Sequence, residues 1–287
     1  MRRCLNLVKK EEPSSPYYLG YEISKFPDGQ QGLTLVEGWL DPDHEYEIIS
    51  RLNSFSDLEL ILCATAALKS AGAKDILLTV PYFLGARSDR KFGGGGYHYL
   101  KEVICPIINA QGYSSVAVLD PHSDVLEACL DRLAPNSNLS FVRNALKDLD
   151  YHASPSSFVF VAPDAGAYKK VDRIVREFQH PGSMITAHKH RDLKTGQITK
   201  TEVTIPKRAG DKFLIIDDIC DGGRTFIGIA DAIKEKRPDA EVYLLVTHGI
   251  FSAGYSQLMN RFARIYTTNS YQDFSSEFGF INAMKVI

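Results

Sequence analysis

Residues 212–228, KFLIIDDICDGGRTFIG, decide the fold. Phe213, Leu214, Ile215 and Ile216 form a short unbroken apolar run, the composition of a strand buried on both faces of a parallel sheet. Asp217, Asp218 and Asp221 follow at once, with Gly222, Gly223, Arg224 and Thr225 behind them. Residues 226–236, FIGIADAIKEK, then carry apolar side chains at helical spacing. Strand, acidic glycine-rich turn and helix is the arrangement in which backbone N–H groups at a helix N-terminus hold a phosphate. The glycines allow close approach and positive φ. The carboxylates repel a phosphate, but they suit sugar hydroxyls, which donate hydrogen bonds to them, or a magnesium ion. A ribose phosphate is the ligand this stretch fits. The bland alternative is a βα turn with an acidic N-cap. Three Asp, two Gly and a Thr within nine positions weigh against it.

The 287 residues suffice for two ordinary domains or one large one. A net charge of −2 leaves no basic surface for nucleic acid, and no aromatic–basic interleaving suggests one. No apolar run approaches a membrane span, and the opening MRRCLNLVKKEEP lacks the apolar core of a signal peptide. Cys4, Cys63, Cys105, Cys129 and Cys220 are scattered without a CxxC pair. They read as reduced thiols of a cytoplasmic protein, not as a structural zinc site.

Outward from the loop, strands are expected at 4–8, 76–80, 116–119, 157–161, 241–246, 265–269 and 283–287. Residues 21–40 alternate well enough for a hairpin turning at Pro27, Asp28 and Gly29. A helix is expected over 56–72, with Ser56 as N-cap, Glu59 completing a capping box and Gly72 ending it. Further helices are expected over 97–112 and 167–178. The four glycines at 93–96 are a connection and not a nucleotide loop, since no Gly-Lys-Ser/Thr follows. The polar, turn-rich stretch APNSNLS at 134–140 reads as a domain boundary, giving domains 1–135 and 136–287 that repeat each other in outline.

Taken with its surroundings, DDICDGGRT resembles the ribose-phosphate loop of phosphoribosyltransferases and, more closely, of ribose-phosphate pyrophosphokinases. The hairpin turn has the family's Phe26 and Asp28, with Gln30 where the family has Glu. Arg87, Asp89, Arg90 and Lys91 match a basic segment after a buried strand, Ser88 replacing a Gln. His122 stands in an Asp-Pro-His turn where the family has Asp-Leu-His. Pro163, Asp164, Ala165 and Gly166 are close to the family's Pro-Asp-X-Gly-Gly, with Ala167 for the second Gly. Lys189 and Arg191 match the two working cations before a flap, His190 replacing the Arg between them. Thr247, His248, Gly249 and Ser252 complete a Thr-His-Gly-X-X-Ser pattern. All the motifs keep the family order from about Phe26 to the C-terminus.

The resemblance implies an α/β protein of two tandem phosphoribosyltransferase-like domains, each a mainly parallel sheet flanked by helices. It implies transfer of the β,γ-diphosphoryl group of ATP to the anomeric hydroxyl of ribose 5-phosphate, a step of nucleotide biosynthesis. Phe26, Asp28, Gln30, Arg87, Ser88 and Asp89 would bind ATP. Asp217, Asp218, Asp221, Gly222, Gly223, Arg224 and Thr225 would bind the ribose phosphate. His122 and Asp164 would serve Mg2+, and Lys189 and Arg191 would be catalytic. Because the family's hairpin reaches a neighbour's ATP site, the resemblance also implies a homo-oligomer, at least a dimer and compatible with a hexamer.

Two departures keep alternatives open. Gly222 and Arg224 stand where the family has Thr and Gly, which suits a sugar continuing beyond its 5-phosphate, as in ADP-ribose for NAD salvage. The replacements at Gln30, Ser88, His190 and Arg224 would also suit a non-catalytic, synthetase-like regulatory subunit. Leu40 and Asp41, with Tyr97 and His98, stand where the family's allosteric phosphate site has guanidinium groups, so phosphate activation is not expected.

Overall fold

The computed structural model describes residues 1–9, 15–91, 93–191, 198–274 and 279–287, and the side chains of 189–191 and 198–200 lie outside that description. The chain divides into two compact units, Met1–Ser137 (with Ile287) and Asn138–Val286.

The first unit holds strands β1 (Arg2–Asn6), β2 (Tyr21–Lys25), β3 (Gln31–Leu35), β4 (Glu45–Ile49), β5 (Asp75–Thr79), β6 (Ser115–Leu119) and β7 (Leu133–Asn136). β1, β4, β5, β6 and β7 form one parallel sheet in that order, while β2 and β3 pair separately as an antiparallel hairpin. Helix α1 (Phe55–Ser70) packs Leu58, Ile61, Ala64, Thr65 and Leu68 inward, the i, i+3, i+7 spacing of a core-facing stripe. Its cap differs from the expected one. Ser54 is the N-cap, and Asp57, not Glu59, closes the capping box by accepting from the backbone of Ser54 at 2.9 Å. Glu59 instead accepts from the side chain and backbone N–H of Gln31, tying the helix to β3.

The helix expected over 97–112 is shorter and divided. A π turn at Leu100–Ile104 precedes α2 (Cys105–Asn109). Pro106 has no N–H to donate one turn back, and the backbone widens ahead of it so that Cys105 bonds to the carbonyl of Leu100. A short α3 (Val125–Cys129) follows β6. The stretch 134–140 contains the division between the two units, after Ser137, but it is not all turn. Residues 133–136 are the edge strand β7, where Pro135 is tolerated because one side of the strand needs no ladder donor. Helix α4 (Leu139–Asp148) opens directly behind it.

The second unit adds β8 (Phe158–Ala162), α5 (Tyr168–Glu177), β9 (Ser183–Arg191), β10 (Ile198–Val203), β11 (Lys212–Cys220), α6 (Arg224–Lys236), β12 (Glu241–Gly249), α7 (Ser256–Met259), β13 (Arg264–Thr268) and β14 (Ile281–Met284). Its sheet runs β10-β9-β8-β11-β12-β13-β14, parallel except for the antiparallel pair β9 and β10. Side chains alternate between two cores, as the period of two in a strand requires. Phe213 and Ile215 join Phe226, Ile229 and Ile233 of α6 on one face. Leu214 and Ile216 join Phe141 of α4 and Val171 and Ile174 of α5 on the other. The sheet is a buried layer between helices, the α/β class expected.

Gly210, just before β11, sits against the backbone of Ser157 so closely that a Cβ there would run into the Ser157 carbonyl. Backbone cannot swing aside as a flexible side chain can. Gly210→Ala is therefore expected to destabilise the second unit by about 2–3 kcal/mol, the upper range for overpacking, seen as a loss of roughly 5–10 °C in Tm.

Candidate active site in the second unit

The strand order fixes where a ligand can sit. From β8 the chain moves outward to β9 and β10, then returns to the other side of β8 as β11. That reversal opens a crevice beyond the C-terminal ends of β8 and β11, the usual ligand position in open α/β sheets.

Asp217 and Asp218 lie inside the strand and not in the turn beyond it. They were read as turn residues, but β11 continues through Cys220, because pairing with β12 holds Asp217 opposite Val246 and Cys220 opposite Gly249. Asp218 is buried, and its Oδ2 accepts from the ammonium group of Lys170 on α5 at 2.8 Å. Asp217 Oδ1 accepts the backbone N–H of Asp218 at 2.9 Å. Burial, then the adjacent Asp218 and Asp164 charges, hold the Asp217 carboxyl well above the usual carboxylate range. Asp164 lies just past β8, where its Oδ1 accepts from the backbone N–H of Ala167 at 3.1 Å and tethers the start of α5. Cys220, buried behind these carboxylates, has its thiol pushed up by burial and is no nucleophile.

The turn after β11 presents backbone donors. Asp221 accepts from Ser252 Oγ on the loop beyond β12, and Cys220 O accepts from the N–H groups of Ile250 and Phe251. The loop following Thr247, His248 and Gly249 thus braces the turn after β11. Gly223 is the N-cap of α6 at φ 78°, and a Cβ there would lie 3.0 Å from Leu258 Cδ2. Only glycine meets both conditions without strain. The first intrahelical bond runs from Ile227 N to Gly223 O, no side chain caps the helix and no acidic residue stands in its first turn. The N–H groups of that turn are an electropositive end without a side-chain acceptor, the feature that binds an anion. Arg224 is exposed there.

Lys170 was not read from the sequence as a site residue. A lysine in a polar helix reads as solvent-facing, and its pairing depends on how α5 lies over β11. Lys189 and Arg191 fall at the end of β9, opposite Thr201 and Ile198 of β10. Their side chains, and residues 192–197 of the expected flap, lie outside the described residues.

The other candidates belong to the first unit. Phe26, Asp28 and Gln30 form the tip of the β2–β3 hairpin, where Phe26 N donates to Gln30 O at 2.8 Å and Gln30 N to Asp28 Oδ1 at 3.2 Å. Phe26 is exposed. Arg87, Ser88 and Asp89 follow the buried Tyr82 and Phe83 beyond β5, with Arg87 exposed and Ser88 O accepting from Leu100 N. His122 is exposed beyond β6, after Asp120 at φ 43°. Among the described residues no three His, Cys, Asp or Glu side chains are grouped to hold a metal ion. Asp164 and Asp217 nonetheless fit Mg2+ as that ion is commonly held, by one or two carboxylates, waters and substrate phosphates. No helix among the described residues is long and apolar enough to cross a membrane.

Residues 136–262 match the phosphoribosyl transferase domain family, which is the class that this sheet order and glycine-capped turn define. A ribose-phosphate pyrophosphokinase of Maricaulis maris is 28% identical over 231 residues, covering 80% of this chain and 72% of its own length. One from Cereibacter sphaeroides is 30% identical over 197 residues, covering 68% of this chain and 56% of its own. The fold is similar to that of the phosphoribosylpyrophosphate synthetase of Mycobacterium smegmatis, with a TM-score of 0.77 at 18% identity over 94% of this chain and 87% of that one. The chain is thus similar in sequence to ribose-phosphate pyrophosphokinases and in fold to a phosphoribosylpyrophosphate synthetase.

Proposed function

We propose that the protein is a cytoplasmic diphosphokinase that transfers the β,γ-diphosphoryl group of ATP to the anomeric hydroxyl of ribose 5-phosphate, giving phosphoribosyl pyrophosphate and AMP. The observation that carries this reading is the juxtaposition at the end of β11: two carboxylates, then a glycine-capped helix N-terminus with no side-chain cap. The carboxylates of Asp217 and Asp218 accept from the ribose hydroxyls. The N–H groups of residues 222–225 take the 5-phosphate.

The anomeric hydroxyl oxygen attacks the β-phosphorus of ATP in line, its proton passes to solvent as the new O–P bond forms, and AMP leaves with the electron pair of the broken α–β bridge. Such a reaction depends on positioning and charge neutralisation. Lys189 and Arg191 supply cations to the transferred group, and Arg87, Ser88 and Asp89 engage the ATP phosphates and ribose. In the second unit Asp164, with Asp217, would hold Mg2+, and His122 would be the first unit's own ligand for Mg2+; when bound, the ion offsets phosphate charge. Phe26 and Asp28, at the tip of an exposed hairpin with Gln30, complete the ATP site of a neighbouring subunit, so the active form is a dimer or larger.

A second reading has its own support. Gly222 carries no side chain into the turn, a Cβ there coming no nearer than van der Waals contact with Ala253 Cβ and Ser252 Oγ at 3.9 Å, and Arg224 beside it is exposed, free of bulk that would limit its reach. A closed pocket for a terminal phosphate has no use for that reach, whereas a pocket passing a pyrophosphate outward does. ADP-ribose offers the same free anomeric hydroxyl, with AMP attached through the 5-phosphate. Competition of ribose 5-phosphate and ADP-ribose for limiting enzyme, read as the two pyrophosphorylated products, separates the acceptors. If ADP-ribose is used, Arg224→Gly is expected to shift preference toward ribose 5-phosphate by about tenfold, the worth of one charge-assisted hydrogen bond. If ADP-ribose is neither consumed nor inhibitory at millimolar levels, the open-pocket reading fails.

Activity is expected to respond little to inorganic phosphate, because Leu40 is buried and Asp41 is acidic where a phosphate would need cations. Rates measured against phosphate concentration check this, and a steep activation curve contradicts it.

A further inference from the structure

Lys170 is the third residue of α5, in the first turn, where a cation faces the positive end of the helix dipole. Its position has to be repaid by another interaction, and that interaction is visible. The ammonium group lies 2.8 Å from Asp218 Oδ2, with the lysine side chain 30% exposed and the aspartate side chain 6% exposed. A nearly buried carboxylate without a countercharge is strongly disfavoured, and a cation at hydrogen-bond distance also fixes its plane.

The surroundings make this cation matter for ligand binding. Asp164, Asp217, Asp218 and Asp221 border the ends of β8 and β11, and the expected substrate brings a phosphate into that acidic crevice. A carboxylate has about four lone-pair positions, so one bond from lysine leaves it able to accept from a sugar hydroxyl. The same α5 begins at the Asp164 tether, where Asp164 Oδ1 holds Ala167 N. Lys170 and Asp164 are therefore carried on one rigid unit against β11.

We infer that Lys170 is a positioning residue for the sugar substrate, holding the Asp218 carboxylate in the orientation that accepts a ribose hydroxyl and offsetting one negative charge beside the incoming phosphate. This rests on the ribose-phosphate reading above. Lys170 acts through Asp218, and the substrate selected is an anionic sugar with a vicinal hydroxyl pair. ATP, bound through other residues, is not its target.

The test uses full-length wild type, Lys170→Met, Lys170→Arg, Asp218→Asn and the double variant Lys170→Met/Asp218→Asn. Initial rates of AMP formation are measured with ATP and with either ribose 5-phosphate or ADP-ribose, alongside Tm. Lys170→Met is expected to raise the sugar KM by about tenfold or more while the ATP KM stays within about twofold. Lys170→Arg is expected to restore the sugar KM to within about threefold, because it returns the charge and a donor. In the Asp218→Asn background, Lys170→Met is expected to change the sugar KM by less than about twofold, since the carboxylate it acts through is gone. The double variant also removes both partners of the buried pair, so its Tm controls for the stability lost when only one is removed.

Equal rises in both KM values, or a Lys170→Met effect that persists in full without Asp218, overturn the inference. A wild type that turns over normally beside an unchanged Lys170→Met overturns the inference alone. A wild type that forms AMP with neither sugar overturns the ribose-phosphate reading itself, and the inference with it.

Discussion

Lys189→Ala is expected to lower turnover by at least about 10²-fold while leaving the ATP KM nearly unchanged. The reacting phosphoryl oxygens gain their charge pattern only as the α–β bridge breaks, so a cation aimed at them contributes mainly in the transition state. One such donor is typically worth about 10²–10³ in kcat. Lys189 stands at the end of β9, opposite Thr201 on the antiparallel β10. Steady-state kinetics with saturating sugar give the answer. Full turnover in the variant would remove Lys189 from the mechanism, and a rise in the ATP KM with turnover intact would make it a binding residue.

Asp217→Asn is expected to do two opposite things. It should lower kcat/KM for the sugar by about 10- to 100-fold, the value of a hydrogen bond to a charged acceptor. It should also raise Tm at neutral pH in chelator-treated buffer by roughly 3 °C or more, the response to about 1 kcal/mol. The second effect follows from the carboxyl's environment. Burial, Asp218 and Asp164 raise its pKa, so the folded state resists ionisation that the unfolded chain accepts freely. A group with a raised folded pKa contributes stability below its unfolded value, about 3.9, and loses it as pH rises through the folded value. The Tm advantage of the asparagine variant should therefore be small near pH 4 and widen toward neutral pH. Asparagine keeps an oxygen for the Asp218 N–H bond, so the backbone contact survives. Thermal melts of both proteins from pH 4 to 8 measure it. A variant less stable than wild type at every pH would mean that the carboxylate is a structural asset and not a strained functional group.

These expectations depend on parts of the chain that were legible to different degrees. Phe213, Leu214, Ile215 and Ile216 announced a buried parallel strand because an apolar run of that length can be covered on both faces only inside a layered sheet. The glycine at 223 was legible for a similar reason, since a left-handed N-cap pressed against Leu258 admits little else. What the strand does after Ile216 was not legible. Asp217 and Asp218 carry turn-type side chains, and only the ladder to Val246 and Gly249 keeps that segment extended. The edge strand β7 was hidden by Pro135 and Asn136, which an edge accepts and a central strand does not. β4 was missed because Glu45 and Glu47 dilute its apolar residues, although Tyr46 and Ile48 are buried. The capping box was read two residues late, since Ser56 and Glu59 offer the same spacing as Ser54 and Asp57. Helix geometry decides between them only when Glu59 is seen bonded to Gln31. The Lys170–Asp218 pair links residues 48 apart, and no local pattern encodes it.

The most direct test of the central claim is a single incubation of the purified protein with Mg2+, ATP and ribose 5-phosphate, followed by phosphorus NMR. The account predicts AMP and a diphosphate ester on the anomeric carbon appearing in equal amounts, and loss of both on chelation. ATP left intact with ribose 5-phosphate and with ADP-ribose alike, or split to ADP and phosphate, would contradict it.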